Sequence, residues 1–569
     1  MYITPLVIGV TGHRDLVPTE IDVLREKITG LFDDLRRQFP NTPLLMMSAL
    51  AEGADRLAAH AALDAGIELQ AVLPMPIRFY RDDFETPESK AEFDDLCDKA
   101  EVLTLPVPFP EQRLDDALGG GREIAYANAG MFISAHCHIL LALWDGINES
   151  GMGGTAQVIY FQHYDRLPGV ADSVPRSSLF LSDNETDLVY HICCSRQQIT
   201  KESDYDIGPL EARWFTTDPD NPSTAEMPPR YASVFDRTDD FNADVSHYLA
   251  SNEEPTSEEF TPPETHTQEA AERIGRYFGI SDVLANYYQA RINLTLGTNY
   301  TLAMVAGLAF IIYAEMTDVR LLVVVFLVSL FATIILAGIS ERRQWHRKYL
   351  DYRVLAEGLR VQFYWAVAGV HGKGQSKFEH DNFLRQRDME LGWIRNVMRV
   401  AGTLSDSQAS TDEREGLRFV IRHWIGDDEY SGQLDYYRTK ATQRARDNRR
   451  SDRLTMMCLW SGILVAVILV IFLTQIGDKW LQALIVLMGV LPLVAGIAEA
   501  YTQRKADREL TKQYQFMALV FANARRRLDE ASGDPERREV LRGLGDAALS
   551  EHAEWILIQR ERQPESAGL

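Results

Sequence analysis

The residues best suited to chemistry fall in three short segments of the N-terminal part. They are Thr11-Gly-His-Arg-Asp-Leu16, Ser48-Ala-Leu-Ala-Glu-Gly-Ala-Asp55, and Trp144-Asp-Gly146 followed by Gly151-Met-Gly-Gly-Thr155. Gly153 and Gly154 have no side chain, so the backbone there can approach a phosphate closely while N–H groups at a helix start donate to it. Thr155 can add a hydroxyl. His13 or Arg14 can contact a phosphate or a base, and Asp145, Glu52 or Asp55 can accept from ribose hydroxyls. Thr11, Gly12 and Ser48 belong to the same candidate ligand shell. Singly, each is ordinary: a glycine loop is often only a turn, Asp55 suits a helix cap, and a surface imidazole is commonly just solvated. Their meeting at one edge of a sheet is what would make them a site.

Apolar runs supply that edge. Strands are expected at Leu6 to Val10, Leu44 to Met47, Leu69 to Leu73, Val102 to Leu105 and His138 to Leu143, with a further one at Leu188 to Cys193. Helical patterns fill the gaps, at Ile21 to Gln38, Ala54 to Ala65, Lys90 to Lys99 and Ile124 to His136, and another helix should open at Thr155. Strands alternating with helices indicate a parallel α/β sheet, in which ligands collect where strand C-termini meet helix N-termini. The three segments fall there.

The chain has 569 residues, 46% of them hydrophobic, which implies several domains. A net charge of -24 argues against a nucleic-acid partner. Between Lys201 and Thr265, 16 acidic residues face four basic ones, which reads as a solvated surface. Cys97, Cys137, Cys193, Cys194 and Cys458 show neither metal-ligand spacing nor an even disulfide framework, so no metal site and a reducing compartment are expected. A basic, apolar leader is lacking, and no signal peptide is expected.

Farther along, charge-free runs span 23 residues from Ile292 to Ala314, 20 from Leu321 to Ser340, 24 from Leu454 to Gly477 and 19 from Trp480 to Ala498. Each is long enough to cross about 30 Å of hydrocarbon as a helix. Short polar connections, Glu315 to Arg320 and Asp478-Lys479, pair them into two hairpins. Ala337-Gly-Ile-Ser-Glu341 and Ala495-Gly-Ile-Ala-Glu499 are nearly the same five residues at the ends of the second and fourth spans, as an internal duplication would leave them. Arg342, Arg343, Arg347 and Lys348 follow the second span. Arg444, Arg446, Arg449, Arg450 and Arg453 precede the third, and Arg504, Lys505 and Arg508 follow the fourth. Cations near span ends stay on the cytoplasmic side, which places both termini and the middle segment in the cytoplasm. Asn299, Ser329, Thr333, Glu341 and Glu499 are the candidates for lining a pore.

Leu6-Val-Ile-Gly-Val-Thr-Gly-His-Arg14, Ala49-Leu-Ala-Glu-Gly-Ala-Asp-Arg56, Ala71-Val-Leu-Pro74, Tyr80-Arg-Asp-Asp-Phe84 and Leu141-Ala-Leu-Trp-Asp-Gly146 with Gly153-Gly-Thr155 resemble the SLOG branch of Rossmann-like nucleotide-binding domains over about the first 165 residues. The membrane part, with Glu551-His-Ala-Glu-Trp555, is similar to the SLATT type of effector domain that accompanies SLOG proteins in bacterial conflict systems. The resemblance implies a nucleotide second messenger, a cyclic nucleotide or an ADP-ribose derivative, as ligand, and antiphage defence by abortive infection at the bacterial inner membrane. Related Lonely-guy phosphoribohydrolases carry a catalytic glutamate three residues after the threonine of this loop, where this chain has Val158. A valine cannot transfer a proton, so the departure favours binding over cleavage; Glu52, from another loop, could substitute.

The expected fold is a Rossmann-like α/β domain followed by an all-α membrane region with four spans in two hairpins and long cytoplasmic helices. Its segments are a nucleotide-binding domain (1–250), an acidic Pro-rich linker (251–267), a pre-membrane helix with the first hairpin (268–341), a cytoplasmic helical segment (342–453), the second hairpin (454–499) and C-terminal helices (500–569). The expected function is that of a homo-oligomeric membrane effector that binds a nucleotide signal and permeabilises the membrane. A membrane-tethered nucleotide-processing enzyme, of phosphoribohydrolase or NAD-glycohydrolase type, and a ligand-gated channel without an immune role are the alternatives.

Overall fold

The computed structural model describes residues 2–114, 120–148, 151, 153–164, 187–197, 203–251, 268–315, 319–370, 389–407, 414–427, 429–472, 475–504 and 507–561. The acidic linker after Ser251 and most of the loops from Gly369 and from Asp406 lie outside the described residues. Two compact units form. One comprises Met1–Ser281, Val354–Gly416 and Leu549–Leu569, the other Asp282–Arg353 and Leu417–Ala548.

An eight-stranded sheet is the heart of the first unit. Its strands are β1 (Leu6–Gly12), β2 (Leu44–Ser48), β3 (Glu68–Leu73), β4 (Glu101–Thr104), β5 (Ile139–Trp144), β6 (Val189–Cys193), β7 (Ala212–Phe215) and β8 (Ser223–Thr224), in the order β4-β3-β2-β1-β5-β6-β7-β8. The first six run parallel; β7 pairs antiparallel with β6, and β8 with β7. Every residue of β2 and β5 is buried, as a parallel sheet covered on both faces requires. The helices of this part are α1 (Ile21–Gln38), α2 (Ala54–Asp64), α3 (Ile77–Arg81), α4 (Pro87–Asp98), α5 (Gly121–His136), α6 (Thr155–Tyr164) and α7 (Pro229–Leu249). In α1, Leu24, Ile28, Leu31, Phe32 and Leu35 form one buried stripe at helical spacing. Pro87 opens α4 behind Thr86, whose hydroxyl accepts from Ser89 N–H at 3.1 Å.

The acidic stretch around Phe235 to Asp244 is part of α7, and its polar residues tie the helix to the N-terminal segment. Asn242 Oδ1 accepts from Thr4 N–H and its Nδ2 donates to Thr4 O, both at 2.9 Å. Asp239 accepts from the backbone and side-chain amides of Asn41 at 2.8 Å.

Beyond it come α8 (Gln268–Glu315), α9 (Arg320–Arg342), α10 (Trp345–Ala368), α11 (Gly392–Ser407), α12 (Arg414–Val420), α13 (Gln433–Phe472), α14 (Asp478–Arg504), α15 (Asp507–Glu530) and α16 (Asp534–Glu561). Of these, α11 belongs wholly to the first unit. Its Trp393 packs against Phe241 of α7 with ring centroids 5.5 Å apart, and Asp406 Oδ2 lies 3.1 Å from His136 Nε2 at the end of α5.

Among the described residues four helices are long and apolar enough to cross a membrane: α8, whose residues from Asp282 on belong to the second unit, α9, α13 and the helix running on from Trp480. Gly307 of α8 sits where a Cβ would come within 2.6 Å of Leu493 Cδ2, and Gly489 of α14 faces Ile311 at 3.2 Å. Small residues at these positions let the two backbones approach, the usual basis of helix packing in an apolar medium. Pro492 lies inside α14 and removes one helical hydrogen bond there.

Candidate ligand-binding site

After β1 the chain turns towards β2, β3 and β4; β5 lies on the other side of β1. The loops leaving these two neighbouring strands therefore diverge and leave a crevice, the place where ligands bind in such sheets. A cavity of about 380 Å³ opens there. Hydrogen bonds join its three loops: His13 N–H donates to Leu143 O at 3.1 Å, and Ala54 N–H donates to His13 O at 3.0 Å. Two glycines permit this approach. A Cβ on Gly12 would lie 2.4 Å from Ala54 Cβ and 2.7 Å from Leu143 O, and one on Gly53, at φ +81°, would lie 2.4 Å from Arg14 O.

Thr11, Gly12, His13, Arg14, Asp55, Gly153, Gly154 and Thr155 all line the cavity. Ser48, Glu52 and Asp145 do not. Ser48 is buried and shapes its own loop: the hydroxyl accepts from Leu50 N–H at 3.0 Å, where Leu50 adopts a φ of +58°. Glu52 lines a neighbouring cleft of about 640 Å³ on the far side of Gly53 and accepts from the Ser89 hydroxyl. Asp145 stands behind His13, with Oδ1 3.0 Å from His13 Nε2 and accepting from Ile147 N–H at 3.1 Å. His13 Nε2 is also 3.1 Å from the Asp145 backbone N. It serves one partner at a time: protonated it donates to the carboxylate, and neutral it accepts from the N–H. Burial pulls the His13 pKa below its ordinary value, against the opposing pull of Asp145, so the neutral imidazole is favoured.

Asp55 is the most perturbed acid of the cavity. Burial pushes its pKa up to about 7, although N–H groups of Ala51 and Ala49 and the guanidinium groups of Arg14 and Arg56 favour the carboxylate. At neutral pH it can therefore either donate or accept a hydrogen bond. Across the cavity, Tyr126 of α5 has the Arg14 guanidinium 5.5 Å from its ring centroid, and its hydroxyl donates to Asp83. Arg14 itself is exposed.

The glycine loop differs from a row of open donors. Gly153 N–H is held by Gln157 Oε1 at 2.9 Å and Gly154 N–H by Gly151 O at 3.0 Å. A phosphate here would displace Gln157 or use later amides of the first turn of α6. Val158 is buried in the cavity wall, its Cγ2 within 2.6 Å of where a Cβ on Gly130 would stand.

Tyr80, which opens the Tyr80–Phe84 motif, also lines the cavity, and Tyr126 and Arg196 are cavity residues that the motif reading did not single out. Arg196 was the most accessible of them, because it follows β6, the strand beside β5; its Nε donates to Asp15 Oδ1 at 3.0 Å. In the second unit, Thr333 Oγ1 donates to Ser329 O of its own helix at 3.0 Å, and Ser329 is buried. Asn299 Oδ1 is buried and has no partner among the described residues, Glu341 is exposed, and Glu499 accepts from Gln503 at 3.1 Å.

No protein-family model, curated protein or solved structure matches the chain.

Proposed function

We propose that the chain is a membrane effector that binds a nucleotide-derived ligand through a Rossmann-like, SLOG-type domain and answers by permeabilising the membrane. The observation that carries the reading is the cavity between β1 and β5, lined by Gly12, Arg14 and the Gly153–Thr155 loop, in a chain that also holds four apolar helices. Its volume suits one nucleotide. Arg14 at its exposed edge supplies a charge for a phosphate, Tyr126 an aromatic face for a base, and Asp55 a group for ribose hydroxyls. Calorimetry of the full chain in detergent against cyclic nucleotides, nucleoside phosphates and ADP-ribose tests this; absence of binding across the panel overturns it. The full chain is needed because residues 354–416 and 549–561 pack into the same unit as the sheet.

In this reading the spans form two hairpins and several subunits surround one conducting axis, since four helices enclose no wide pore. Both termini and residues 342–453 are cytoplasmic, as reporter fusions at residue 400 and at the C-terminus would read. In liposomes the ligand triggers ion leakage, and Glu341→Gln with Glu499→Gln lowers cation preference without changing ligand affinity. Antiphage defence is the role the SLOG resemblance implies.

Asp55 favours a second reading, a nucleotide-processing enzyme, because a carboxyl titrating near 7 suits general acid–base work. Chromatography of the bound nucleotide after long incubation separates the two: an intact ligand supports the sensor, whereas turnover abolished by Asp55→Asn supports the enzyme.

A further inference from the structure

The second unit carries cations that the protein leaves unanswered. Arg342 ends α9 and Arg343 caps it, and Arg446, Arg449 and Arg453 lie on α13 just before its apolar run. All five are exposed, and none has an acidic partner among the described residues. The chain has no shortage of carboxylates, with 82 acidic residues against 58 basic ones. Arginines of the first unit do find them: Arg25 pairs with Asp64, Arg81 with Asp94, Arg122 with Asp83 and Arg196 with Asp15. Glu341, Asp447 and Asp452 adjoin them in sequence, yet Asp447 pairs with Arg450 and not with any of the five.

The two sets share one end of the apolar helices. Arg291, just before the apolar run of α8, has its guanidinium 5.5 Å from the Trp345 ring centroid, and Gln289 Nε2 donates to Tyr349 Oη at 3.1 Å, so the start of α10 lies beside the start of that run. Tyr300 of the same helix donates to Ala500 O at 3.1 Å, and the hydroxyls of Ser451 and Thr502 are 2.9 Å apart. Residues 446–453 and the end of α14 therefore lie at this end too.

We infer that Arg342, Arg343, Arg446, Arg449 and Arg453 form a docking belt for the phosphate headgroups of anionic phospholipids. An arginine with a long apolar stem beside a membrane-crossing helix reaches the headgroup layer with its charged end, and basic clusters flanking spans gain from anionic lipid there. Free phosphate offers the same chemistry, but the belt adjoins apolar helices, and a nucleic acid would meet a chain of net charge -24. Lipid is thus the source that the surroundings select. The inference rests on the membrane reading of the four helices.

The test reconstitutes the full chain in equimolar phosphatidylglycerol and phosphatidylcholine, solubilises it in neutral detergent, and measures the lipid retained per protein. Wild type is expected to keep several-fold more phosphatidylglycerol. The fivefold Arg→Gln variant, checked for intact helicity by circular dichroism, is expected to fall to near-equal retention, while neutralising Arg25, Arg37 and Arg78 in the first unit leaves the preference unchanged. Retention of neither lipid refutes the membrane reading. Equal retention by wild type, an unchanged preference in the fivefold variant, or loss of preference on adding millimolar inorganic phosphate or a DNA oligonucleotide refutes the belt.

Discussion

The two units use the same apolar residue types against opposite surroundings. In the first, Ile8, Met46, Leu140 and Leu141 are fully buried, because a parallel sheet hides both faces under helices. In the second, Leu321, Phe331, Trp460 and Val470 are exposed, Val470 to 82%. A strand needs neighbours for its backbone hydrogen bonds, whereas a helix satisfies its own and can turn its side chains outward to an apolar solvent. Hydrophobicity alone therefore says little about where a residue lies; the period of the pattern and the length of the run decide it.

The sharpest way to break this contrast is to delete the same kind of group from both sides. Leu141→Ala in β5 should destabilise the sheet unit by about 2–5 kcal/mol, through lost burial and a residual cavity. Hydrogen exchange of the β1 and β5 amides would record it. Chemistry sharpens the contrast next: Arg14→Ala should weaken nucleotide binding by about 1.5–3 kcal/mol in calorimetry, the scale of a hydrogen bond to a charged group, while leaving the second unit unaffected.

The third prediction concerns acid. Burial lowers the pKa of His191 to about 4, and its Nε2 donates to Trp144 O at 2.9 Å. The unfolded chain takes up this proton below about 6.5, and the folded chain does not until about pH 4. Stability of the sheet unit is thus full above pH 6.5 and falls on acidification towards pH 4, by on the order of 1–3 kcal/mol from this group. His191→Gln keeps a donor for Trp144 and should flatten that slope in thermal melts between pH 4 and 7. The smallest effect belongs to Val470→Ala on the exposed helix face, expected to shift the melting of the reconstituted protein by less than about 0.5 kcal/mol. A cost comparable to that of Leu141→Ala would mean that Val470 is covered by protein, as in a subunit interface.

Much of the sheet was legible. Leu6 to Val10, Leu44 to Met47 and, apart from Gln70, Leu69 to Leu73 are apolar runs, and the observed strands differ from them by two residues at most. The short strands β7 and β8 escaped, since four and two residues inside an acidic stretch carry no periodicity. Of the site, the residues whose backbone makes the crevice, Gly12 and Gly153, could be read from spacing. The roles of Ser48 and Asp55 could not, because each depends on burial that only packing creates. Tyr126 sits mid-helix on α5, where the sequence distinguishes it from no other aromatic. The joining of residues 354–416 and 549–561 to the sheet unit was hidden for the same reason, as no local pattern reports a partner hundreds of residues away.

That last feature bears on how the protein is made. The six parallel strands emerge early from the ribosome, yet the unit they belong to also takes in residues 354–416, translated after the first two apolar helices, and residues 549–561, translated after all four. The sheet can form early, but its unit is finished only once every membrane-length helix has been synthesised. A chain stalled or nicked before residue 549 would carry the apolar helices with the sheet unit unfinished, leaving an incomplete surface for proteolytic quality control to recognise.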